Sequence, residues 1–149
     1  MAARDYTSRR RSIVTAIAGI LADIDGTGSF RTTLVNISER LRFWDEIQEF
    51  PAVDVNAGSE TRVYQGAGFA DRYLTMTIRC YVQQEDATLA LEALLEDVET
   101  VLAENGRLAY LDSTGATQYT RDIKVVGIDT DEGVLEPLGV GELLLEVSY

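Results

Sequence analysis

The sequence predicts an α+β fold: a mainly antiparallel β-sheet with two α-helices packed on one face, plus a β-hairpin with an extended loop. Three observations predict it. From Tyr73 to Gln83, Leu74, Met76, Ile78, Cys80 and Val82 alternate with Tyr73, Thr75, Thr77, Arg79, Tyr81 and Gln83. A period of two sends the two sets to opposite faces of a sheet. Directly after this strand, Leu91, Leu94, Leu95, Val98 and Leu102 fall at i, i+3, i+4, i+7 and i+11, one stripe of a helix. Along the chain the elements run helix, strands, helix, strands, which suits helices laid on one antiparallel sheet. The strand's apolar face and the helix stripe cover each other, and roughly ten such side chains at about 1.5–3 kcal/mol each supply the largest local driving force.

In chain order, Met1 to Tyr6 reads as a short arm, and Thr7 or Ser8 caps a first helix running to about Asp25. Its stripe is Ile13, Ile17, Ile20 and Ile24, widened by Val14 and Leu21, and Asp25-Gly26-Thr27-Gly28 ends it. Arg9, Arg10 and Arg11 lie in its first turns, where cations oppose the helix dipole. They read as a solvated face or as partners of an acidic neighbour. Phe30 to Ile37 reads as a strand. Ser38 caps the segment Glu39 to Glu46, which carries Leu41, Phe43 and Trp44 and reads equally as a short helix or an irregular connection. Pro51 to Val55 is extended, with Pro51 fitting an edge or first position, and Asn56-Ala57-Gly58-Ser59 reads as a turn. Thr61 to Gln65 forms one side of a hairpin, Gly66-Ala67-Gly68 its tip, and the long strand from Arg72 the return.

Gln84 and Glu85 turn the chain, Asp86 caps the second helix, and Asn105-Gly106 stops it near Glu104. Arg107 to Leu111 reads as a short strand, Asp112 to Gly115 as a turn, and Tyr119 to Asp129 as a β-branched strand. Thr130 to Val140 is a loop broken by Gly133, Pro137 and Gly139. In the last strand, Gly141 to Tyr149, Leu143, Leu145, Val147 and Tyr149 face one way and Glu142, Glu146 and Ser148 the other, with Leu144 interrupting the polar face. That places the last residues in the sheet. With no repeat, low-complexity tract or linker, residues 1–149 read as one domain.

Composition bounds function. The chain has 149 residues, 46% of them hydrophobic, enough for a real core. It carries 25 acids against 13 bases, a net charge of −12, and Lys124 is its only lysine. Specific duplex-DNA reading needs a basic surface, and anionic membranes repel such a chain, so neither is expected. Cys80 stands alone on the strand's apolar face and reads as a small hydrophobe, with no intrachain disulfide possible. No apolar run of about 18 residues and no secretory pattern is seen, so the chain is expected to stay inside a cell or something assembled there.

Chemistry is hard to find. There is no histidine, which removes Ser-His and Cys-His systems and the commonest metal ligand. The pairs Gly26/Gly28, Gly66/Gly68 and Gly139/Gly141 lack the phosphate-loop context and read as turn glycines. Asp23/Asp25 and Asp129/Asp131 lack the calcium-loop pattern and read as solvated caps. No catalytic, cofactor-binding or metal-binding residue is assigned, no cofactor is expected, and the chain reads as a non-enzyme. The charge distribution says more. Seven acids and no base lie from Glu85 to Glu104, and six acids and no base from Asp129 to Glu146, while the bases lie elsewhere. A solvated helix face explains part of this; head-to-tail contact between copies explains it too.

With these pieces laid out, the chain resembles the tail terminator (tail completion) proteins of tailed bacteriophages. Four places carry the likeness: Arg9-Arg10-Arg11-Ser12-Ile13-Val14 opening a helix that leads to a Gly-rich stop; Phe50-Pro51-Ala52-Val53-Asp54-Val55 followed by Gly58 and Glu60; the alternating strand feeding a helix with Leu94-Leu95-Glu96-Asp97-Val98-Glu99; and Leu138-Gly139-Val140-Gly141 with a strand closing on Val147-Ser148-Tyr149. The resemblance implies a virion protein, assembled in the host cytoplasm, that forms a hexameric ring on the head-proximal end of the tail tube. Such a ring stops tube growth and offers a docking surface to neck (connector) proteins, and to a sheath protein if the tail is contractile. DNA passes through its lumen without specific binding, and no membrane is involved. The glycine-bearing stretches 57–71 and 129–139 are expected to make the contacts, through Gly66, Gly68, Phe69, Asp129, Asp131, Glu132 and Glu136, together with Arg9, Arg10 and Arg11. The competing readings are a neck or tail-tube subunit and, from another class, a small acidic enzyme or regulator.

Overall fold

Ser8 accepts a hydrogen bond from the Arg11 N–H at 3.1 Å and starts helix α1 (Arg9–Leu21). The computed structural model describes residues 8–149, so the arm expected at Met1 to Tyr6 and the alternative cap Thr7 lie outside the described residues. Helix α1 stops at Leu21, short of the Asp25 expected from the pattern. The Asp23 and Ile24 N–H groups reach back three residues, to the Ile20 and Leu21 carbonyls, and this tighter turn unwinds the helix early. Ile24 is still fully buried, with Ile13, Val14, Ile17 and Leu21. The Asp25–Gly28 turn then forms as read: the Asp25 carboxylate accepts from the Thr27 N–H (3.0 Å) and hydroxyl (2.6 Å).

The strand expected over Phe30 to Ile37 shrinks to β1 (Asn36–Ser38). The reason lies far along the chain. The Arg31 and Thr32 N–H groups donate to the buried Asp97 carboxylate at 3.0 and 2.8 Å, which replaces the ladder a strand would need. The segment Glu39 to Glu46 is irregular with one 3₁₀ turn over Trp44–Glu46.

Strand β2 (Ala52–Tyr64) runs straight through the turn expected at Asn56–Ser59. That stretch is a β-bulge: Ala57 opposes Met76 but Glu60 opposes Leu74, and a Cβ on Gly58 would stand 3.2 Å from the Thr75 carbonyl oxygen. The tip at Gly66–Gly68 turns as read, with Ala67 and Gly68 at φ 62° and 81°, and leads into β3 (Ala70–Gln83). Helix α2 (Ala87–Glu104) follows, its Asp86 cap accepting from the Leu89 N–H at 3.4 Å. Strands β4 (Ala109–Leu111) and β5 (Thr117–Tyr119) form a separate hairpin, and β6 (Asp122–Thr130) and β7 (Leu138–Ser148) return to the main sheet.

The single strand expected from Tyr119 to Asp129 is therefore two. Buried Thr120 exchanges hydrogen bonds with Leu108 and donates its hydroxyl to the Gly106 carbonyl, whereas the Arg121 N–H donates to the Ser148 carbonyl. The chain changes sheets between them. The main sheet has the order β1-β2-β3-β7-β6, antiparallel except for the parallel β1–β2 pair. One buried cluster joins its inner face to both helices, so α1 and α2 share that face as predicted. The α2 stripe is buried in full, together with Ala87 and Val101. Cys80 is buried in the same cluster, where burial pushes its thiol pKa up.

Gly139 and Gly141 correct the reading of turn glycines. Both lie inside β7, directly beneath α2. A Cβ on Gly139 would meet Val82 Cγ2 at 2.8 Å and the Ala87 carbonyl at 3.2 Å; one on Gly141 would meet Leu91 Cδ1 at 3.2 Å and Leu95 Cδ2 at 3.3 Å. The missing side chains let the helix lie close to the sheet. Gly139→Val should therefore lower unfolding stability by about 1–3 kcal/mol, read as a lower urea midpoint at unchanged slope. Gly66→Ala, in open space, should stay within about 0.5 kcal/mol of the parent.

Candidate assembly interface

The outer face of the sheet, turned away from the helices, is covered at one end only. There the segment 39–50 forms a strap. It is held by Asp54, fully buried on β2, whose Oδ1 accepts from Arg42 Nε and whose Oδ2 accepts from the Arg42 N–H, both at 2.7 Å. Arg42 Nη1 donates to Asn36 Oδ1 at 2.9 Å, and the Tyr81 hydroxyl donates to the Arg42 carbonyl at 3.0 Å. A buried carboxylate demands such a partner, and satisfying it fixes the strap. Ile47 of the strap packs on Ala52 and Tyr81 of the sheet as a second small apolar cluster.

The strap leaves two aromatics in solvent, Phe43 at 74% and Trp44 at 63% exposure. Leu135, on the 131–137 loop, is 48% exposed. Between strap and loop runs a groove of about 320 Å³, whose apolar lining is Phe43, Trp44, Tyr81, Leu135, Leu138 and Val140.

The opposite end of the same sheet carries the hairpin. The Arg72 and Tyr149 backbones exchange hydrogen bonds (3.1 and 3.0 Å), and beyond that rung the β2–β3 ribbon is two-stranded. Tyr64 and Phe69 at its end are each 72% exposed. Its base is fastened by Tyr149, whose hydroxyl donates to the Glu60 carboxylate and whose ring meets Tyr110 edge-on at 5.9 Å and the Arg72 guanidinium at 5.8 Å. Burial, then the Glu60 bond, pushes the Tyr149 pKa up to about 12. Burial works against the Glu60 carboxylate, but hydrogen bonds from Tyr149 and Arg62 outweigh it and hold its pKa below the usual range.

The residues singled out from the sequence fall into three places. Gly66, Gly68 and Phe69 sit together at the hairpin tip. Asp129, Asp131, Glu132 and Glu136 gather at the groove end, where Asp131 accepts from the Leu135 and Val140 N–H groups (3.1 and 3.3 Å) and Glu136 from the Thr88 hydroxyl (3.0 Å). Arg9, Arg10 and Arg11 stand at the start of α1. Arg10 donates to the Gly58 carbonyl and Arg11 to the Glu39 carbonyl (2.9 Å), with the Glu39 carboxylate at 3.7 Å, so these two serve their own subunit. Phe43, Trp44, Tyr64 and Leu135 were not singled out; the one available signal was an aromatic pair in a stretch with no periodic position for it.

Charge follows the same axis. Near the hairpin end, Arg72 and Arg107 stand over the Tyr149 and Tyr119 rings and have no ion-pair partner among the described residues, whereas Lys124 faces Glu146 across the β6–β7 ladder. Near the groove end, Asp45, Glu49, Glu85 and Glu132 have no cationic partner among the described residues. Two unlike apolar patches thus lie exposed at opposite ends of one sheet, surface of the kind found on proteins that work by contact with other proteins.

Residues 7–149 match the family described as Bacteriophage Tail Tube Terminator Protein, and the chain belongs to that family. The tail tube terminator protein p142 of Escherichia phage T5 is 34% identical over 125 residues, covering 80% of this chain and 78% of that one. A chain from the virion of a native gene transfer agent particle shares the fold, with a TM-score of 0.56 at 12% identity over 92% of this chain and 93% of that one.

Tyr149 gives a pH signature. A pKa raised by folding means that the native state holds the proton more tightly, so this stabilisation is complete below about pH 10, the free tyrosine value, and is lost as pH rises through about 12. Denaturant titrations from pH 8 to 12 should show stability falling across that window. Tyr149→Phe should lower stability at pH 8 and flatten the alkaline slope.

Proposed function

We propose that the protein closes into a ring, six-membered as the family resemblance implies, on the head-proximal end of a tail tube. The ring stops tube polymerisation and offers a docking surface to head or neck proteins, and to sheath if the tail contracts. It acts by surfaces and performs no covalent step. It belongs to the virion and is assembled in the host cytoplasm. The observation that carries this reading is the family match over residues 7–149, supported by the T5 tail tube terminator relative. The geometry agrees with it. Unlike patches at two ends of a subunit make a heterologous contact, and such a contact gives a finite object only when its rotation closes. The net charge of −12 suits a lumen that DNA must pass without sticking.

Tube protein polymerised with increasing amounts of this chain should yield shorter tubes by electron microscopy, each capped at one end. Unchanged lengths would refute termination. Filaments formed by this chain alone would mark it as a tube subunit instead.

A further inference from the structure

We propose that the hairpin tip of one copy seats in the strap groove of the next copy, with Tyr64 and Phe69 packed against Phe43, Trp44 and Leu135. This specifies the subunit contact of the ring proposed above and rests on that reading. The tip is an isolated two-stranded ribbon, marginal by itself, and its two aromatics have the size and exposure of interface anchors. The groove is apolar and lies at the other end of the same strands. Phe69 and Tyr81 are separated by almost the whole of β3, on the order of 40 Å at about 3.3 Å per residue. Pairing of β3 with β7 from Tyr73 to Gln83, and with β2 out to Ala70, keeps the tip from folding back, so the tip reaches a groove only on another molecule.

Charge selects a second copy as that molecule. Among the described residues, the hairpin end offers Arg72 and Arg107 without ion-pair partners, and the groove end offers Asp45, Glu85 and Glu132 without basic ones. Head-to-tail association of copies brings these cations toward the acid-rich groove end of the next copy. Arg42 Nη2, buried beside the groove, has no acceptor among the described residues, a donor that a backbone carbonyl of the docked tip could satisfy.

The test is disulfide trapping in the full chain carrying Ala67→Cys and Leu135→Cys, with native Cys80 buried and silent. Mild oxidation should give a covalent ladder ending at the mass of the native ring, while either single variant gives none beyond a dimer. Phe69→Asp, at an exposed position that leaves the circular-dichroism melt unchanged, should raise the concentration needed for the ring at least tenfold in light scattering. A native ring with no ladder and no effect of Phe69→Asp would overturn the contact and leave the ring standing. Trapping of Ala67→Cys on tube protein instead of a second copy would overturn it too. A wild-type chain that stays monomeric at all concentrations, with and without tube protein, would overturn both.

Discussion

The close seating of α2 on β3 and β7 is the constraint on which the remaining structure depends. It requires two positions of β7 without side chains, Gly139 and Gly141, beneath Ala87, Leu91 and Leu95. Once seated, α2 turns Asp97 inward, only 3% exposed, and that carboxylate takes the Arg31 and Thr32 N–H groups. The chain from Phe30 onward is thereby tied to the helix and delivered to β1, which pairs with the start of β2. The strap leaves β1 within reach of Asp54 and closes over the outer face. The groove, lined by Leu138 and Val140 beside these same glycines, is thus shaped on one face of β7 by what two absent Cβ atoms allow on the other.

Buried carboxylates serve here as fasteners. Asp54 and Asp97 each sit where solvent cannot reach, and each is satisfied by donors distant in sequence. Such arrangements add little net stability compared with a well-packed apolar substitute, but breaking one leaves a charge or donors stranded. They therefore specify where an irregular segment must lie. Arginines are spent the same way: Arg31, Arg40, Arg42, Arg62, Arg79 and Arg121 all pair with acids of their own subunit. Many of the surplus acids lie on the exposed side of α2 and around the groove, so much of the net charge of −12 is expressed there as negative surface.

What the sequence made legible was what periodicity can carry. The alternation in β3 and β7 and the stripes of α1 and α2 predicted the layers, because a face buried by one partner imposes a period. The misread stretches all depend on a distant atom. Phe30 to Ile37 has strand composition, but Asp97 takes its donors. Asn56 to Ser59 has turn composition, but β3 runs alongside and makes it a bulge. Tyr119 to Asp129 reads as one strand, but Thr120 is claimed by Leu108 and Gly106. Gly139 reads as punctuation until α2 is placed above it. At the candidate interface the tip was legible through its glycines, whereas Phe43 and Trp44 had no pattern to expose them, since their place follows from the Arg42–Asp54 pair.

A chain that works through its surfaces must carry apolar groups in water, and that conflicts with staying dispersed before assembly. The structure resolves the conflict by separation. The aromatics of the tip and those of the groove lie at opposite ends of rigidly paired strands, so one subunit cannot satisfy itself. The negative charge around the groove and over α2 keeps free copies apart at long range, through forces that fall off within about 8–10 Å at physiological salt. In the proposed contact, Arg72 and Arg107 near the hairpin would reverse that sign locally. The proposed contact would thus join unlike ends, while two groove ends would repel.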